Sequence, residues 1–247
     1  MGPRRQWKKE GQEGQEGREG REGQIAIILA LMAMLLMSAL GATLVLTTSS
    51  NSLIAANFRN AQEGVYAADA ALERAMDDLA ALADWNAVLD GSTSSAFADG
   101  APGGVRTLAD GSALDLVRAI NLMNCQKVTA CSASDLTAST AQRPWAANNP
   151  VWRLFAYGPL SSLFAPLPIK SAYYVIVMVA DDPSENDNDP LHDGQSMTNP
   201  GTGVLELRAE AFGPRGTRQV VESTVARPGA PGVENAGLRV LSWRLVR

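Results

Sequence analysis

The sequence predicts an α+β protein, a long N-terminal helix followed by an antiparallel β-sheet head. Three observations carry this. An uncharged Leu/Ala/Met/Ile-rich run occupies residues 25–46, apolar residues then recur every three or four positions up to Leu82, and strict two-residue alternation flanks a Gly-Pro-Arg-Gly turn near residue 214.

The apolar run comes first. At ~1.5 Å per residue, a helix over 25–46 is about 33 Å long, enough to cross a bilayer core. Arg4, Arg5, Lys8, Lys9, Arg18 and Arg21 precede it, and the first cation after it is Arg59. Cations stay on the cytoplasmic side, so residues beyond the run are expected outside the inner membrane, in the periplasm. A removable secretory signal fits less well. Its apolar core would be shorter, and residues 47–51 (TTSSN) offer no small-residue exit in register.

Beyond the membrane, Val65, Ala68, Leu72, Ala75, Leu79 and Leu82 share one helical face, while Asp69, Glu73, Arg74, Asp77 and Asp78 fall mostly on the other. One helix is therefore expected from near Gln24 to near Ala83, in a segment 24–84. The alternative is a break at the Thr/Ser/Asn cluster of 47–51, aided by Gly41.

The remainder, 85–247, is large enough for one core and is punctuated by Gly, Pro, Ser and Asp. A short helix is expected over 112–124, with Leu114, Leu116, Val117, Ile120 and Met123 as its apolar positions. Strands are expected over 151–157, 172–180, 204–212, 217–226 and 238–246. The clearest pair is the hairpin 204–226. There Leu205, Leu207, Ala209 and Ala211 alternate with Glu206, Arg208 and Glu210, and residues 213–216 supply the turn.

The leader, 1–23, repeats Glu-Gly-Gln/Arg triplets with glycine at 11, 14, 17, 20 and 23. With no proline in the triplets this is not collagen-like, and a disordered, charge-balanced tail, or a start assigned too far upstream, is expected. Its charges nearly cancel, so the acidic balance of the chain, −5, belongs to the exported part and argues against general nucleic-acid binding.

A basic leader ending in Gly23, an uninterrupted apolar stretch and an amphipathic continuation resemble the class III signal of type IV pilins. Residues 57–75 (NFRNAQEGVYAADAALERA) are similar to the segment that follows it in PilX-type minor pilins; the likeness covers roughly the first third of the chain. The resemblance implies a pilin-like fold and cleavage between Gly23 and Gln24 by a prepilin peptidase. It also implies incorporation of the helix, including Ile28, Val65, Ala68 and Leu72, into a filament with other minor and major pilins at an inner-membrane assembly platform. Most pilins carry Glu at the fifth mature position, and here that position is Ile28. In the families compared, this loss is typical of PilX-like minor pilins and of the K-type pseudopilin of type II secretion, both associated with the filament tip. The long triplet leader is a second departure.

Cys125 and Cys131 are the only cysteines, with five residues between them in a segment expected to be exported. An oxidising compartment and an even count favour a disulfide. Free thiols or half a metal site remain alternatives, though the sole histidine is distant in sequence. The acidic segment 181–194 is expected to be a solvated loop with Asx turns. The alternative is calcium held by Asp182, Glu185, Asp187, Asp189 and Asp193, although Leu191 and His192 stand where an EF-hand needs Asp/Asn and Gly.

No enzymatic motif is met. His192 would be the only histidine for a triad, and G-x-S-x-G, P-loop, H-E-x-x-H and dinucleotide patterns are absent from the sequence; paired carboxylates for glycoside chemistry are not decided by spacing. Trp145, Trp152, Phe155, Tyr157, Tyr173 and Tyr174 are expected to be packing residues rather than a sugar platform. Arg215, Arg218, Arg227, Arg239, Arg244 and Arg247 suit a charged, solvated edge strand, with DNA contact the alternative. The function expected is that of a non-catalytic minor pilin without a required cofactor. The competitors are a K-type pseudopilin and a single-pass anchored binding domain unrelated to filaments.

Overall fold

The structure is a computed structural model that describes residues 10–163, 169–194, 196, 198–227 and 237–246, with side chains described from Gly23 onward. Arg4, Arg5, Lys8, Lys9 and Arg247 lie outside these residues. In chain order the elements are α1 (Glu10–Ala80), α2 (Asn86–Leu89), β1 (Val105–Thr107), β2 (Ala113–Asp115), α3 (Leu116–Cys125), α4 (Ala133–Leu136), β3 (Arg153–Pro159), β4 (Tyr174–Asp181), β5 (Val204–Phe212), β6 (Arg218–Ala226) and β7 (Arg239–Val246). The chain forms two compact units, residues 1–56 and 57–247.

The first unit is helical from Glu10. The triplet leader, expected to be a disordered tail, is helical over its described part; Glu, Gln and Arg between the glycines are good helix formers, and extending an existing helix avoids the cost of a nucleus. No break occurs at 47–51. The hydroxyls of Ser38, Thr43, Thr47 and Thr48 donate to the carbonyls of Met34, Ala39, Thr43 and Leu44, each at 2.8 Å, so these polar side chains are satisfied by their own helix. The apolar side chains of 25–46 are exposed, Met37 at 74%. This is one helix long and apolar enough to cross a membrane, with mean hydropathy 2.6 over its most apolar window.

In the second unit, β3-β4-β5-β6-β7 form one antiparallel sheet in sequence order. All five expected strands are present, with ends shifted by a residue or two. The last turns of α1 lie on one face. Ala67, Ala68, Ala71, Leu72, Ala75 and Leu79 are buried against Val175, Val177, Val179, Leu207, Ala209 and Val221, with Val65 and Leu82 half-buried beside them. The helix ends at Ala80, just short of the expected Ala83.

Small residues let this helix approach closely. A Cβ at Gly64 would stand 2.8 Å from Gln219 Cγ and 3.3 Å from the Tyr173 ring, and one at Gly213 only 2.2 Å from that ring. The two glycines thus clear room for Tyr173, whose hydroxyl donates to the Asn60 carbonyl.

The opposite face of the sheet is also covered. Tyr174, Ile176, Met178 and Ala180 pack there with Tyr157, Trp152, Leu114 and Leu116. Strand β4 is therefore buried on both faces along its whole length, which explains why 173–180 (YYVIVMVA) is a continuous apolar run rather than an alternating one. In the hairpin, Val204 pairs with Ala226 and Phe212 with Arg218; the turn is closed by Arg215 and Gly216 at φ of 58° and 72°.

Three expectations are corrected on this face. The helix placed at 112–124 is α3, beginning at Leu116, because Leu114 pairs with Arg106 in the β1–β2 hairpin and Asp115 caps the helix by accepting from the Arg118 N–H. Val117, expected to be a packing residue, is 49% exposed. Trp145 is 43% exposed, unlike the other five aromatic residues expected to pack.

The sheet edges differ. Beside β3, the Ser95 and Asp99 amides donate to the Phe155 and Tyr157 carbonyls, and the Tyr157 amide to the Phe97 carbonyl. Strand β7 is the other edge, exposed over most of its length, and Arg239 and Arg244 lie on it as expected.

Candidate functional site

Two features stand out chemically, the apolar segment of α1 and the acidic loop after β4. In the first, Gly23, Gln24 and Ile28 are helical and exposed, and a Cβ at Gly23 would meet nothing within 4 Å. Val65, Ala68 and Leu72, expected on the assembly helix, lie on its face toward the core of the second unit, Ala68 and Leu72 buried and Val65 half-buried. Their spacing fixed the buried face and says nothing about what the outer face meets.

Cys125 and Cys131 form a disulfide. It ties the end of α3 to the chain entering α4, whose capping box is built by Ser132 and Asp135.

The acidic loop divides into groups with different fates. Asp182 accepts from the Ser184 N–H, and Asp189 is an exposed partner of His192 Nδ1 at 2.9 Å. Asp193 is buried, accepts from the Gly203 N–H at 2.6 Å and pairs with Arg227 Nη2. The Arg227 guanidinium also stacks over Trp85, 4.3 Å from the ring centroid. Glu185 folds inward to 1% exposure and accepts from Thr202 Oγ1 at 3.1 Å, while Asp187 is exposed.

Asp181, the last residue of β4, is 4% exposed and completes the buried set. Burial, with the charges of Glu185 and Asp193 adding to it, pushes its carboxyl up to about 9. Burial raises Glu185 and Asp193 as well, Arg227 opposing the shift in Asp193. Sequence reasoning missed Asp181 as a site residue. Its alternation with Val175, Val177 and Val179 was the available signal, since it places Asp181 on the inward face of the strand.

Outside the sheet, a cleft of about 570 Å³ is lined by Trp145, Trp152, Glu206, Glu222 and Arg244 among others. A charge ladder along the strands ends in it, with Arg208, Glu222 and Arg244 among its lining residues. Arg218 pairs with Glu210, Arg208 with Glu210 and Glu222, and Arg244 with Glu222. Glu206 has no ion pair among the described residues; burial first, then the charges of Asp182 and Glu222, raise it to about 7.

Comparison with protein-family models, with curated proteins and with solved structures finds no match.

Proposed function

We propose that this chain is a non-catalytic minor pilin of a bacterial type IV pilus. It resides in the inner membrane as a single-pass protein with its head in the periplasm, then joins the filament near the tip. The observation that carries the reading is the unbroken helix over the apolar run 25–46, its side chains exposed, entered through the Gly23–Gln24 junction. Such a surface is stable in lipid or against similar helices and costly in water. Cleavage after Gly23 leaves that surface on the mature protein, where it exchanges lipid for neighbouring pilin helices. Ile28 supports a leading position, because a tip subunit has no neighbour beyond it whose N-terminal amine would need a carboxylate.

Co-expression with a prepilin peptidase tests this. The chain is expected to shorten by residues 1–23 and begin at Gln24, and Gly23→Ala is expected to leave the precursor uncut but inserted in the membrane. A product that stays full length identifies an anchored binding domain unrelated to filaments. Correct cleavage followed by assembly only with a type II secretion system identifies the K-type pseudopilin instead.

A further inference from the structure

The acidic loop contains two buried carboxylates that lie close together without a matching cation among the described residues. Asp193 has Arg227 and the Gly203 amide, Asp189 has His192, and Asp182 caps the turn at Ser184. Asp181 and Glu185 have no cation among the described residues. Both are more than nine-tenths buried, and Asp181 Oδ1 and Glu185 Oε2 are enclosed without a hydrogen-bond partner.

The loop is shaped around them. A Cβ at Gly194 would lie 1.9 Å from Glu185 Oε1 and 3.1 Å from Asp187 Oδ2, so these two carboxylates meet over the Gly194 backbone. A Cβ at Gly201 would lie 2.3 Å from the Glu185 amide nitrogen, so a second glycine closes the other side. Glycine at 194 brings backbone up to the Glu185 carboxylate and glycine at 201 lets the chain pack on the Glu185 backbone, where side chains would have held both away.

Enclosed carboxylate oxygens without partners are costly, and two that repel one another more so. A hard cation removes both penalties. Among the described residues no three Asp, Glu, His or Cys groups already converge on one point. The two buried acids therefore need carbonyl, hydroxyl and water oxygens, and an outer carboxylate that turns inward, to complete a shell. Calcium accepts that mixture at six to eight oxygens in flexible geometry; magnesium demands a near-ideal octahedron, and zinc prefers nitrogen and sulfur.

We propose that the β4–β5 loop binds one calcium ion, with Asp181 and Glu185 as its buried ligands and Asp187 as its outer one. The ion would pin the loop to the ends of β4 and β5, beside the Asp193–Arg227–Trp85 contact. This site is independent of the filament reading and stands or falls separately from cleavage at Gly23.

The test uses the full chain in detergent, with calorimetric titration of calcium chloride and thermal melts in calcium, magnesium or chelator. One calcium per chain is expected to bind, and calcium is expected to raise the melting temperature where equal magnesium does not. Asp181→Asn and Glu185→Gln are each expected to weaken binding at least tenfold, with Asp189→Asn binding as the wild type does. In chelator, Asp181→Asn should melt no lower than the wild type, because the amide matches the carboxyl in size and shape and brings no charge into the buried site; this separates lost binding from lost folding. Absence of calcium binding, equal stabilisation by magnesium, or undiminished binding by the Asp181→Asn and Glu185→Gln variants overturns the proposal.

Discussion

Glu206 shows how one side chain sets a measurable property of the head. Its neighbour across the β5–β6 ladder, Thr224, offers no positive charge, and the arginines of the outer face are engaged by Glu210 and Glu222. Below its ordinary value of 4.5, Glu206 is protonated whether the chain is folded or not. Between there and about 7 the unfolded chain releases the proton while the folded one keeps it, so stability falls across that window and is level above it. Glu206→Gln removes this slope. At pH 8 the variant should be more stable than the wild type by roughly 2 kcal/mol, allowing for partial exposure, and equal to it near pH 4. Denaturant unfolding of both proteins at the two pH values measures it; a gap that does not grow with pH contradicts the assignment. None of this was legible in the sequence, where Glu206 reads as an outward polar residue of an alternating strand. Alternation gives the face, and only the elements packed over that face determine whether it is wet. Asp181 has the same lesson in reverse, since it belongs to the inward face but stands in the sequence at the head of a run of more numerous loop carboxylates.

Elements with a sustained period were legible, and those without one were not. Val65 to Leu79 on α1 and Leu205 to Ala211 on β5 repeat long enough to fix which side is buried, and β4 is long and apolar enough to be a strand covered on both faces. The three-residue strands β1 and β2 are too short to show alternation, so Leu114 was assigned to the wrong element. The close seat of α1 on the sheet depends on alanines that have little hydrophobicity of their own. Their role is to be small. Ala71→Leu, at a position with no exposure, should therefore destabilise the head by about 1–3 kcal/mol through overpacking, even though leucine is a good helix former and more apolar. Tyr66→Ala, on the exposed face of the same helix, should change stability by no more than about 0.5 kcal/mol. Equal effects in a urea melt would contradict the seating of α1 described above.

For the molecule as a whole, the N-terminal helix and the head present opposite surfaces. The head buries its apolar residues in two layers around β4, while residues 25–46 expose theirs; a mature chain that keeps this run needs lipid or other helices around it. Composition alone made that legible. Which other helices these are was not, because an exposed apolar surface states a need and not a partner. The most direct measurement is the N-terminal sequence of the protein recovered from sheared filaments of the native cell. The account predicts recovery in that fraction with Gln24 as the first residue and the apolar run intact. A mature protein that begins after Leu46, or one confined to the membrane with residues 1–23 still attached, would contradict it.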